Sequence, residues 1–233
     1  MSKETKNSLS VRQNFVREIE RQILSEELKP GDRLPTSREL CTQMGVSLTI
    51  VNAGVAELAN KGFVEVKPRH GVYVTDYRTS GNPAMLLSIL QYNGGRLNAH
   101  DVRSFCETRA ALDPMAAELA VQRATEKDLE EWRELLEQLQ REEDRKAFCE
   151  RITEFLYMLY RMSDNFLLTV LYHCTMEPQQ RMYQQFVEKN GTGAVLRNAE
   201  EVFRYVSDRN ADAAAACMKE AMRLPLEGET AII

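Results

Sequence analysis

The sequence predicts a mainly α-helical protein in two parts: an N-terminal winged helix-turn-helix carrying a small β-wing, and a C-terminal all-α helical bundle. Three observations predict it. Residues 33 to 74, "RLPTSRELCTQMGVSLTIVNAGVAELANKGFVEVKPRHGVYV", hold two short amphipathic patterns, an alternating run and a Gly-tipped turn. After the polar stretch "YRTSGNP" every sizeable apolar pattern has helical spacing. No repeat of 20 to 50 residues and no low-complexity tract appears, so solenoid readings fail.

From Ser8 to Leu28, apolar Val11, Phe15, Ile19, Ile23 and Leu24 recur at helical spacing, and "KPGD" ends the run. Thr36 with Glu39 makes a capping box for a second helix that stops at Gly45. Ser47 caps a third helix, running through Val51, Val55 and Leu58 to Lys61, with Gly62 after it. A helix, a short Gly-containing turn and a helix form a helix-turn-helix. "FVEV" and "VYV" alternate about the basic tip "KPRHG" and read as a two-stranded wing. These patterns place a head at residues 1–76, a linker at 77–83, a helical domain at 84–223 and a frayed tail at 224–233. Helices are expected near 84–92, 99–121, 126–141, 145–163, 165–189, 193–208 and 210–222, with Thr125 and Asp128 as another capping box.

The chain of 233 residues is 43 % hydrophobic and 28 % charged, ordinary for a protein with a real core. Its polar N-terminus lacks an apolar signal core, and "FLLTVLY" at 166–172 is far too short to cross a bilayer, so a cytoplasmic protein without membrane contact is expected. Cysteines 41, 106, 149, 174 and 217 are odd in number and scattered, which points to reduced thiols. The net charge is −5, but residues 1–76 carry 11 Lys/Arg against 10 Asp/Glu and the remainder 19 against 25. A nucleic-acid-facing head on an acidic body is compatible with that division.

The phrases "LPTSREL", "MGVSLTIV", "ELANKGFVEV" and "PRHGVYV" resemble, in order and spacing, the GntR family of bacterial winged-helix repressors. "ETRAALDPMAAELA", "FCERITEFLYMLYRMSDNFLL" and "RNADAAAACMKEAM" resemble the family's all-helical effector domain, of the FadR type found in its fatty-acid-responsive regulator. The resemblance implies a homodimeric transcriptional regulator, with double-stranded operator DNA as one partner and a small effector as the other. It implies no catalysis. The residues carry no Ser/His/Asp or Cys/His grouping and no phosphate-cradling loop. Two alternatives stand beside it: a pyridoxal enzyme body of the aminotransferase type, which needs a far longer chain, and a head that docks protein instead of DNA.

In the head, Ser47 and Thr49 can bond phosphates or base edges, Asn52 can address adenine bidentately, and Leu48 can touch a thymine methyl. Arg38 is placed to clamp phosphate, and Arg69, His70 and the bare amide of Gly71 form the wing tip. The family commonly has Arg at the positions of Leu48 and Asn52, so a different operator and a weaker phosphate grip are expected.

In the body, many relatives hold a metal by an Asp and a His four residues apart plus two later His. Aligned to that pattern, this chain has Arg145, Cys149, Ala199 and Ala221. The body's only histidines are His100 and His173, so no metal and no cofactor are expected. The proposed replacement is the Arg145 guanidinium, neutralising an anionic effector beside Cys149, with Arg109 sharing the role. Tyr157, Tyr172 and Tyr205 are candidate hydroxyls on an apolar wall. The resemblance leaves both a fatty acyl compound and a small organic acid open as the effector.

Overall fold

A computed structural model describes residues 10–80, 82–92 and 96–233. Ser8 and Leu9 of the first expected helix and Gly81 of the expected linker lie outside these residues. The chain divides into two compact units, Met1–Gly94 and Gly95–Ile233.

In the first unit α1 spans Val11–Leu24, α2 Ser37–Met44 and α3 Leu48–Lys61. The capping residues fix these limits. Thr36 accepts the Glu39 amide while Glu39 bonds back to the Thr36 amide, and Ser47 accepts from the Ile50 amide. Helix α2 ends at Gly45, whose φ of 64° puts it in the left-handed conformation that residues with a Cβ avoid. Strands β1 (Val64–Lys67) and β2 (Gly71–Val74) pair antiparallel, Val64 opposite Val74 and Lys67 opposite Gly71. The segment before α2 adds to β2, since the Leu34 amide donates to the Val72 carbonyl and the Val74 amide to the Asp32 carbonyl.

Phe15, Ile19, Ile23, Leu40, Val51, Leu58 and Phe63 fill the core of this unit. Each such side chain contributes about 1.5–3 kcal/mol by leaving water. Helices α1 and α3 approach so closely at Gly54 that a Cβ there would lie 2.3 Å from the Phe15 ring.

The expected linker does not stay open. Residues Tyr77–Ser80 form the one-turn helix α4, and α5 (Pro83–Tyr92) belongs to the first unit. Met85 is buried in the head core, and the Ser88 hydroxyl donates to Glu20 at 2.9 Å. Glu20 is itself buried and pairs with Lys61 at 2.8 Å. These contacts move the division from 83/84, as expected from composition, to 94/95.

The second unit holds α6 (Ala99–Arg123), α7 (Glu126–Arg141), α8 (Arg145–Met162), α9 (Phe166–Cys174), α10 (Met176–Asn190), α11 (Gly193–Ser207) and α12 (Ala211–Ala221). Buried Trp132 of α7 stacks on Phe155 of α8 at 4.7 Å and donates its indole N–H to the Phe155 carbonyl. The helix expected over 165–189 is two. Pro178 cannot donate to the carbonyl of Cys174 and its ring would crowd it, so the chain breaks at Thr175 and restarts with Pro178 in the first turn. The expected frayed tail is tied down: Asn190 and Lys189 donate to the carbonyls of Thr230 and Ala231, and the Ile232 amide donates to the Pro225 carbonyl. Among the described residues no helix is long and apolar enough to cross a membrane.

Candidate functional sites: a recognition helix and a cationic cleft

Helix α3 has two faces. Val51, Val55 and Leu58 are buried, whereas Ser47, Leu48, Thr49 and Asn52 are exposed, Leu48 at 50 %. All four residues expected to read base edges thus share one outward edge. Arg38 on α2 is exposed as well. At the wing tip Arg69 and His70 are exposed, and Arg69 takes a φ of 67° that the Lys67–Gly71 turn imposes. Gly71 takes a φ of 122°, which residues with a Cβ rarely adopt, and the end of the exposed Arg33 side chain lies where a Cβ would stand, Nε at 2.6 Å. Arg33 lies against the tip, a neighbour the sequence did not announce because it arrives from the strand-like segment before α2. Lys67 caps the Tyr73 ring at 5.2 Å and adds another cation to the wing.

The second unit separates the residues expected to meet an effector. Arg109 is buried against Asp113, with Nη2 2.7 Å from Oδ2 and Nε donating to Oδ1 at 3.3 Å. The Nη2 and Oδ2 atoms sit close but off the hydrogen-bonding line, so that contact is an ion pair and both atoms remain without a hydrogen bond. Arg109 also donates to the Tyr183 hydroxyl at 3.0 Å, and Tyr160 donates to Asp113 at 2.5 Å. Burial opposes the charged guanidinium, but the Asp113 carboxylate more than offsets it and holds Arg109 above the ordinary arginine range. Burial first, and then Asp113, keeps the Tyr160 phenol protonated. Arg109 is therefore already neutralised inside the fold. The signal was available, since Arg and Asp four apart on a helix share a face.

Tyr172 is buried and donates to the Thr153 carbonyl at 3.0 Å, which leaves its hydroxyl engaged. Tyr157 is half-buried and stacks against Tyr172 at 6.0 Å. Tyr205 is half-buried on α11 under the Arg204 guanidinium and belongs to neither group.

Arg145 and Cys149 do come together, in an open cleft of about 300 Å³ between the start of α8 and α10. Lys146, Arg181, Gln184, Val187 and Glu188 complete its walls. Three cations and one carboxylate line it, Arg181 lying 3.8 Å from Glu177 and Glu188 paired with Arg96 at 2.9 Å, and sequence reading missed Arg181 because it lies on a different helix. Cys149 is buried, and burial, with Glu150 second, pushes its thiol up to about 12. A separate apolar cavity of about 30 Å³ is lined by Ile152 of α8, by Met182, Tyr183 and Phe186 on another face of α10, and by Val195 and Met222.

A metal held in the manner that the resemblance implies does not fit these residues. Arg145 is a cation, the Cys149 thiol stays protonated, and Ala199 and Ala221 offer no donor. Among the described residues no three of His, Cys, Asp and Glu gather to hold an ion.

Residues 12–74 match the family model described as "Bacterial regulatory proteins, gntR family", and residues 104–224, more than half of the chain, match that of the FCD domain. The chain belongs to the GntR family and carries an FCD domain. This regulator is 33 % identical over 135 residues to HTH-type transcriptional regulator Mce2R of Mycobacterium tuberculosis, covering 58 % of this chain and 56 % of that one. It is 31 % identical over 134 residues to the galactonate operon transcriptional repressor of Escherichia coli, covering 56 % and 57 %. The match thus spans little more than half the length of these relatives. A solved structure titled "Lar controls the expression of the Listeria monocytogenes agr system and mediates virulence" shares the fold, with a TM-score of 0.64 at 15 % identity over 93 % of this chain and 95 % of that one. An FCD domain occupies the place of the aminotransferase-type body, and the relatives are regulators, so the enzyme alternative falls away.

Proposed function

We propose that this regulator binds double-stranded operator DNA as a homodimer through α3 and the wing, and that a small anionic effector entering the helical unit changes that affinity without a metal. One observation carries the DNA reading: the polar edge Ser47, Thr49, Asn52 stands clear of its own unit, with Leu48 beside it and cationic residues Arg38 and Arg69 nearby. A helix of this kind fits the major groove, and a basic wing tip suits the adjoining backbone or minor groove. The repressor name of the galactonate operon relative favours repression as the output.

On an operator selected from a random duplex pool, Asn52→Ala is expected to weaken specific binding by about 5- to 150-fold, the worth of one good bidentate base contact. Non-specific binding should stay as it was. Arg38→Ala should instead weaken all duplexes alike and flatten the slope of log affinity against log salt by about one. Filter binding at several salt concentrations separates the two, and undiminished specific binding by both variants would remove α3 from the groove. A head that docks protein would show no such salt slope.

For the effector, the cleft of Arg145, Lys146 and Arg181 offers what Arg109 does not, cations with room beside them. A carboxylate is the group that three such cations would take, bidentately on a guanidinium. A fatty acyl compound and a small organic acid both carry such a group, and the separate apolar cavity, about 30 Å³, holds no long chain as it stands. Arg145→Ala is expected to lower effector affinity at least tenfold by calorimetry and to blunt effector-driven release from DNA, while chelator leaves release intact. Release unchanged in Arg145→Ala would refute the anion site, and release abolished by chelator would refute the metal-free mechanism.

A further inference from the structure

Helix α9 turns two unlike faces to its surroundings. At 3.6 residues per turn, Leu168, Thr169 and Tyr172 share the inward arc. Leu168 and Tyr172 are buried there, and the Thr169 hydroxyl donates to the Tyr160 carbonyl at 3.2 Å. The opposite arc carries Phe166, Leu167, Val170 and Leu171, exposed at 83, 62, 38 and 42 %. Elsewhere among the described residues the large exposed apolar side chains stand singly, as Val11, Leu48, Val66 or Met115 do, and single ones are normal. Four on one short helix are not.

We propose that this face is where a second copy of the chain docks, α9 of one copy against α9 of the other across a two-fold axis. The proposal rests on the reading above in one respect: a head that covers a single half-site needs a partner to be specific. At the exposures given, the four side chains offer roughly 400 Å² of apolar surface. That is half of the about 800 Å² each partner buries in a stable interface, so the proposal requires the polar surface around α9 to supply the remainder. A two-fold contact sets one patch against itself, so its centre must be apolar and its rim must carry both signs. The centre is apolar, and exposed Arg161 and Asp164 stand at its amino end. A membrane is the wrong occupant for this charge pattern. Residues 77–233 carry 19 Lys/Arg against 25 Asp/Glu, which an anionic lipid surface repels.

Sedimentation equilibrium on the full chain tests this without DNA, so loss of the dimer is read whether or not the protein binds any duplex. The wild-type chain is expected to be dimeric at micromolar concentration. Phe166→Asp with Leu171→Asp should raise the dimer dissociation constant at least about 30-fold, as loss of a central anchor does, with the circular dichroism spectrum and melting temperature preserved. Phe166→Leu should stay within about threefold, since it keeps the apolar contact. If the double variant melts early, Leu167→Lys, whose side chain stands mostly in solvent, carries the test with the same expectation of monomers. A monomeric wild type, a dimer that survives both charged variants, or wild-type binding to phosphatidylglycerol vesicles that the variants lose would each overturn the proposal.

Discussion

Asp113→Ala is expected to lower the stability of the helical unit by about 3–5 kcal/mol, the cost of leaving a buried charge without its partner. Arg109 is 4 % exposed and Asp113 wholly buried, so water cannot replace the carboxylate. The variant strands the Arg109 guanidinium with only the Tyr183 hydroxyl, and the Tyr160 hydroxyl loses its acceptor. Calorimetry should show the unit's melting temperature falling by about 10 °C, at 2–4 °C per kcal/mol for a unit of this size. Asp113→Asn keeps an acceptor for Tyr160 but removes the charge, and should fall between. The informative variant removes both charges. Arg109→Leu with Asp113→Leu should recover much of the loss, because a buried ion pair is worth little beyond its own desolvation, whereas half of one is costly. If Asp113→Ala melts with the wild type, Arg109 is not dependent on Asp113, and its charge becomes available to an effector after all.

What was legible in the sequence was local. The limits of α2 and α3 followed from Thr36, Glu39, Gly45 and Ser47, because caps and helix stops are chemistry between residues three or four apart. The wing followed from alternation about a turn of fixed length. Errors arose where distant residues decide. Helix α5 joined the head because Ser88 meets Glu20, 68 positions away, which no pattern in "NPAMLLSILQY" reveals. The tail was held by residues of α10 some forty positions earlier. The break at Thr175 is a different error, a local signal overlooked, since Pro178 stood in plain view. The sites divide in the same manner. The exposed edge of α3 was readable from one helix, whereas the cleft needs Arg145 and Arg181 from two, and only the fold brings them to one wall.

The head has its own point of failure, where the expected sign runs against helix propensity. Replacing a glycine in a helix interior by alanine ordinarily gains about 0.5–1 kcal/mol. At Gly54 the new Cβ would lie 2.3 Å from Phe15 Cδ1 and 2.6 Å from Cε1, well inside contact distance. Phe15 is 1 % exposed and walled by its own core, so its ring cannot swing away cheaply. Forcing added atoms into such a core costs about 1–3 kcal/mol. Gly54→Ala is therefore expected to destabilise the head by about 1–2 kcal/mol net of the propensity gain, and Gly54→Val, with two more methyl groups and poorer helix propensity, to abolish its cooperative unfolding. The change should also reach the DNA. The backbone of α3 that carries Ser47, Thr49 and Asn52 is the part able to yield, and a recognition helix moved on its own unit loses base contacts before the head unfolds. Operator affinity should fall in Gly54→Ala even where circular dichroism shows a folded head. Phe15→Leu combined with Gly54→Ala shortens the obstructing side chain and should restore both stability and affinity in part, a positive coupling that a double-mutant cycle measures. Additive losses from the two substitutions would mean that α1 and α3 do not meet at Gly54 in solution.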